Sequence, residues 1–114
     1  MQGALVTSPH STPSGRNKGS VALTTTSDVA LFAAGGAGIS NNLVDLVAVN
    51  TGGAVVELIL KDGTTEFWRI PLPINVPVQI NLNAPIRLGA NLALNVALSA
   101  AGTVRCLGTG FTSI

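Results

Sequence analysis

Few residues in this chain are equipped for chemistry. There is one histidine, His10, one cysteine, Cys106, and five carboxylates, Asp28, Asp45, Glu57, Asp62 and Glu66. A catalytic site needs a nucleophile or an acid–base pair, with partners that tune it. His10 lies in a Ser/Pro-rich stretch and is expected to be solvated. Cys106 alternates with Val104 and Gly108, as a small buried apolar residue would, and the alternation sends Arg105 to the opposite face. A reactive thiol would need a basic partner or a helix N-terminus. Glu57 and Glu66 come together only if the chain folds back between them. They would then resemble a glycosidase pair, but Lys61 beside them makes a salt-laced exposed face the simpler expectation. Asp62, before a glycine, has a turn role. Asp45 stands between Val44 and Leu46 in an apolar run, where an arginine across a subunit boundary is one candidate partner. One His and one Cys cannot build a zinc site. Gly35, Gly36 and Gly38 lack the Lys-Ser/Thr that completes a phosphate loop, so they read as a turn. Asn75, Asn81, Asn83, Asn91 and Asn95 have the chemistry to line a sugar site, but turn and edge hydrogen bonds are their commoner use. No catalytic residue, cofactor or metal is expected.

The elements that hold these residues are strands. The chain has 114 residues, the size of one domain, with 46% hydrophobic and only 10% charged residues. An ordinary soluble domain is about 25% charged. A net charge of +1 is too small for a protein that works by neutralising phosphates, and there is no polybasic signal for a membrane surface. The uncharged runs Ile70–Ile86 and Leu88–Val104 hold prolines or several polar residues and fall short of a spanning helix. The N-terminus shows no basic segment followed by an apolar run, so no secretory signal is expected. The lone cysteine fits a reducing cytoplasm. So little charge implies that part of the surface is hidden against other chains.

Residues 1–27 differ from the rest. The segment TSPHSTPSGRNKGS at 7–20 cannot bury enough apolar surface to fold alone. It reads as an extended arm carrying Arg16 and Lys18, with apolar runs at Ala4–Val6 and Val21–Leu23 able to add strands to a sheet, or equally as a disordered tail. From residue 28 to 114 short β-prone runs alternate with turn signals. Strands are expected at Asp28–Ala34, Asn42–Asn50, Ala54–Lys61, Thr64–Pro71, Val76–Asn83, Ile86–Leu88, Leu92–Ser99 and Thr103–Thr109. That spacing argues for an all-β, antiparallel sandwich or barrel, with little helix.

Asp62-Gly63 between two β-prone runs is a strong hairpin signal. Taken as a two-residue loop, it pairs Lys61 with Thr64, Leu58 with Phe67 and Glu57 with Trp68. One face then carries Leu60, Leu58, Val56 and Phe67, as a core would. The other carries Ile59, Trp68, Val55 and Ile70 among Lys61, Glu57 and Glu66. A solvent face is normally polar, and Trp is enriched at binding hot spots. Ile59, Trp68 and Ile70, with Arg16 and Lys18 of the arm, are therefore the candidate interface residues; for Trp68 the alternative is packing in its own core or under a loop.

The succession LVDLVAVNTGG, AVVELILKDGTTEFWRIPLP and PIRLGANLALNVALSAAGTVRCLGTGF, between Asn42 and Phe111, resembles small virion structural proteins of tailed bacteriophages, of the head decoration or cement kind. The likeness spans about 70 residues and rests on compositional and topological cues, without a catalytic signature. It implies a jelly-roll-like β-sandwich, commonly a homotrimer, on the capsid exterior. Such a protein is not an enzyme. It is made in the host cytoplasm and binds across joints between major capsid protein subunits to stabilise the shell. The alternative expectation is a tail or head-fibre recognition module for a carbohydrate or receptor. The scarcity of aromatics, three Phe, one Trp and no Tyr, tells against that reading.

Overall fold

The computed structural model describes residues 16–114 as two four-stranded antiparallel sheets packed face to face. Eight strands follow in order: β1 Arg16–Leu23, β2 Val29–Phe32, β3 Ser40–Asn50, β4 Val56–Asp62, β5 Thr65–Leu72, β6 Val78–Ala90, β7 Leu94–Leu98 and β8 Val104–Ser113. The first sheet runs β1-β8-β3-β6 and the second β2-β7-β4-β5. Among the described residues no helix is long and apolar enough to cross a membrane.

Period-two alternation builds the core. Val56, Leu58 and Leu60 of β4, Leu94, Val96 and Leu98 of β7, Leu46 and Ala48 of β3, and Val104 and Cys106 of β8 point between the sheets and are buried. Each buried leucine contributes roughly 1.5–3 kcal/mol by leaving water. Glycines let the two sheets approach closely at one end. A Cβ on Gly19 would strike the Leu31 carbonyl, and one on Gly108 would press on the Leu31 side chain.

The hairpin register differs from the sequence expectation. Asp62 pairs with Thr65, so Gly63 and Thr64 form the two-residue turn. Gly63 supplies the positive φ of 64° at its first position, which glycine adopts at no steric cost. The register then shifts between Leu60 and Lys61, leaving Phe67 as an extra residue on β5. A slip of one residue sends every following side chain to the other face. Leu60 therefore pairs with Trp68, Leu58 with Ile70 and Val56 with Leu72. This corrects the face assignment: Trp68 and Ile70 turn inward to the core, and Phe67 turns outward, 37% exposed.

Two boundaries also move. Arg16–Leu23, expected within an arm, pairs along its whole length with β8, so the described sandwich begins at Arg16. The runs expected as separate strands at Val76–Asn83 and Ile86–Leu88 belong to the single strand β6. Its register to β3 slips between Asn81 and Ile86, and Pro85 falls in that slip. An edge strand tolerates a proline at such a place because no ladder hydrogen bond is lost.

Candidate functional site

The outer faces of the two sheets have different chemistry. On the second sheet, the Arg69 guanidinium donates to both oxygens of Glu66, at 2.6 and 3.0 Å, and to Glu57 at 3.3 Å. Lys61 Nζ lies 2.8 Å from Asp28. The Arg69 hydrogen bonds hold the Glu66 carboxyl below the usual carboxylate range, and the two glutamates in turn raise Arg69. Glu57 and Glu66 are thus both committed to one arginine, which leaves neither arranged as an acid–base pair. Ile59 also points outward here, paired with Arg69 and Ala97, yet it is buried, 7% exposed.

The first sheet presents two apolar patches instead. Val47 pairs with Leu107, and Val49 with Arg105, all on the outward side. Leu107 is 40% exposed, and Phe111, two outward positions further along β8, is 36% exposed. Shallow hollows line this face, one bounded by Val47, Val49, Pro77 and Leu107, another by Val44, Lys18 and Phe111. Polar side chains lie between them: Asp45 pairs across to Thr109 and Asn81, and Gln79 neighbours Val47. The Thr109 hydroxyl donates to Asp45 at 3.4 Å, and no cation pairs with Asp45 among the described residues.

Charge is segregated between the faces. Arg16 and Lys18 point outward from β1, Arg105 from β8 and Arg87 from β6. These four cations share the first sheet's outer face with one side-chain carboxylate, Asp45, and Arg16, Lys18 and Arg105 are in no ion pair among the described residues. Arg87 is the most tethered, donating to Ser113 Oγ at 3.0 Å and to the Ile114 carbonyl at 2.9 Å. No family model matches the chain, and no curated protein matches it.

Of the interface candidates, Arg16 and Lys18 stand on the outer face of the first sheet. Ile59 lies on the outer side of the second sheet, and Trp68 and Ile70 face the core between the two. The structure therefore does not bring the five together. Nothing in the sequence alone singles out Val47, Val49, Leu107 and Phe111 as a set. Alternation around Leu46 and Ala48 carried the signal for the valines, but the pairing of β3 with β8 is what joins them to Leu107.

The other residues singled out for chemistry have structural work. His10 lies outside the described residues. The Asp62 carboxylate accepts the Gly89 N–H at 3.1 Å from each oxygen. Gly36 and Gly38 have φ of 108° and 75° in a turn closed by the Ile39 N–H on the Gly36 carbonyl at 3.0 Å. Asn75 and Asn91 take positive φ, and Asn95 donates to the Gly63 carbonyl at 2.7 Å. Asn81 and Asn83 are on exposed parts of β6, with Asn81 beside Asp45.

Cys106 is buried, and that burial pushes its thiol up to about 12. A thiol in the unfolded chain ionises near about 8.5. Since the folded value lies above the unfolded one, the thiol's contribution to stability is complete below about pH 8.5. It is lost progressively as pH rises toward the folded value. At pH 8 a thiol-specific reagent is expected to leave native Cys106 untouched and to label it promptly in urea. Equal labelling rates in the two conditions would contradict this burial.

Proposed function

We propose that the chain is a jelly-roll module and a non-enzymatic structural protein of a virion, of the capsid decoration or cement kind, acting as an oligomer on the outside of the shell. The strand orders β1-β8-β3-β6 and β2-β7-β4-β5 support the jelly-roll reading, because they are what two interleaved Greek keys produce. Viral capsid proteins and lectins both use that architecture, so topology supports the assignment by analogy only.

The observation that carries the reading is the outer face of the first sheet. Two apolar patches, one of Val47, Val49 and Leu107 and one of Val44 and Phe111, set on a face that carries four cations and one carboxylate, have the anatomy of a protein interface. A protein that binds only the assembled shell stabilises it by mass action. An oligomer that engages several shell subunits at once adds avidity to weak single contacts. The recognition-module alternative is less well supported. The two exposed aromatics, Phe67 and Phe111, sit on different sheets and offer no shared platform for stacking on a sugar ring.

The test uses particles of the virus whose genome encodes the chain. Mass spectrometry of purified particles is expected to detect it in stoichiometric amount. Particles made without it are expected to lose their genome at a lower temperature. Its absence from purified particles would end the virion reading.

A further inference from the structure

A two-sheet sandwich has four edge strands, and open edges invite pairing with other chains unless they are blocked. Three of the four carry a block. β2 has only four residues and a register shift between Ala30 and Phe32. β5 has its extra residue at Phe67 and a proline at position 71. β6 has the slip between Asn81 and Ile86, with Pro85 in it. β1 differs. Its eight residues, RNKGSVAL, pair with β8 in unbroken register from Arg16↔Phe111 to Leu23↔Val104, and it contains no proline. Its far side pairs with no other strand among the described residues.

The side chains of β1 are themselves patterned. The outward positions read Arg16, Lys18, Ser20, Ala22, with the large cations in the first half and the small residues in the second. In an antiparallel pair, directly opposed residues share a face of the sheet. A two-fold axis at Gly19 then sets Lys18 opposite Ser20, and Arg16 opposite Ala22, of the second copy. That register gives both cations a small, uncharged partner. In-register parallel pairing would instead set Lys18 beside Lys18, and like charges directly opposed are destabilising.

We infer that β1 is a self-pairing edge: two copies of the chain join β1 to β1 antiparallel about Gly19, so that their first sheets merge into one eight-stranded sheet. The contact is isologous, as a two-fold interface must be. It makes a pair the unit of assembly, rather than the trimer that the sequence resemblance implies. The inference goes beyond the virion reading and does not depend on it. A pair that never joins a particle would uphold the inference and defeat that reading.

Sedimentation equilibrium on the purified full chain tests it, with two substitutions at the exposed Ser20. Ser20→Glu faces Lys18 of the second copy, twice per pair by symmetry, and is expected to tighten association by on the order of tenfold at low salt. Ser20→Lys sets cation against cation and is expected to weaken association by a similar factor. Thermal unfolding of dilute protein is expected to change little, since Ser20 is on the surface. Amides on the free side of β1 are expected to gain hydrogen-exchange protection as concentration rises. A chain that stays monomeric at every concentration would overturn the inference. So would an oligomer whose dissociation constant ignores both substitutions. Concentration-independent protection of β1 would equally refute it, and would show that the chain covers its own edge.

Discussion

Gly110→Ala is expected to destabilise the fold by about 3 kcal/mol or more, while Gly53→Ala shifts stability by less than about 1 kcal/mol. The two glycines differ in what a methyl group would meet. At Gly110, on β8 between β1 and β3, an added Cβ would run into the Asn42 carbonyl, with a carbon of the Phe32 ring 3.1 Å away. The first obstacle is backbone and cannot rotate aside. Either β3 moves away from β8, which breaks ladder hydrogen bonds, or the sheets part around Phe32, which is only 3% exposed. At Gly53 a Cβ has open space, and φ lies outside the left-handed region. A domain of this size holds about 5–15 kcal/mol of total stability, so the first change removes a large share of it. Urea unfolding midpoints of the two variants, read with their slopes, decide the matter. Equal midpoints would show that β8 has slack at Gly110.

The sequence made most strands legible because alternation is written into them. Leu58 and Leu60 could be placed in the core from their spacing alone, and Cys106 could be read as buried from its neighbours Val104 and Gly108. What the sequence concealed was set by tertiary contacts. The hairpin was recognisable at Asp62-Gly63, but the turn advanced by one residue, and Asp62 instead reaches the Gly89 N–H. Nothing local marks Phe67 as the extra residue, and that one bulge decided which side Trp68 and Ile70 face.

β1 was hidden for a different reason. Its first half, Arg-Asn-Lys-Gly-Ser, has the composition of a loop. It is a strand because Gly19 can lie against the Leu31 carbonyl and because Asn17 reaches Asn41. The candidate face shows the same limit. Each residue's outward direction follows from alternation, yet four cations share one face only because β1, β8 and β6 belong to one sheet. Net charge, at +1, averages that segregation away.

Asn41→Asp is expected to cost about 3–5 kcal/mol at neutral pH, the range for an uncompensated buried charge, with part of the loss recovered in acid. Asn41 is fully buried at the start of β3. Its Oδ1 accepts from Asn17 Nδ2 at 2.6 Å, and its Nδ2 donates to the carbonyls of Ala33 at 2.9 Å and Leu92 at 3.2 Å. One amide thus ties β1, β3 and the segments bearing Ala33 and Leu92 together. Aspartate matches its shape and keeps the acceptor for Asn17. It loses both donors and turns a carboxylate oxygen toward two carbonyl oxygens that then have no partner.

Burial and the facing carbonyls both disfavour the charged form, so the folded pKa of the new acid must rise above its unfolded value of about 3.9. With the folded value raised, the protonated acid's contribution to stability is complete below about pH 3.9. It drains away as pH climbs through the folded pKa. Below that point the acid's O–H can donate to one of the two carbonyls, and part of the tie is restored. Asn41→Ala also orphans the carbonyls, but nothing in it titrates, so its deficit relative to the parent chain should not change with pH. Urea unfolding of parent, Asn41→Asp and Asn41→Ala at pH 4 and pH 7 separates the cases. A deficit for Asn41→Asp that is the same at both pH values would mean that the carboxylate escapes to water, and that the tie through Asn41 is looser than its three hydrogen bonds imply.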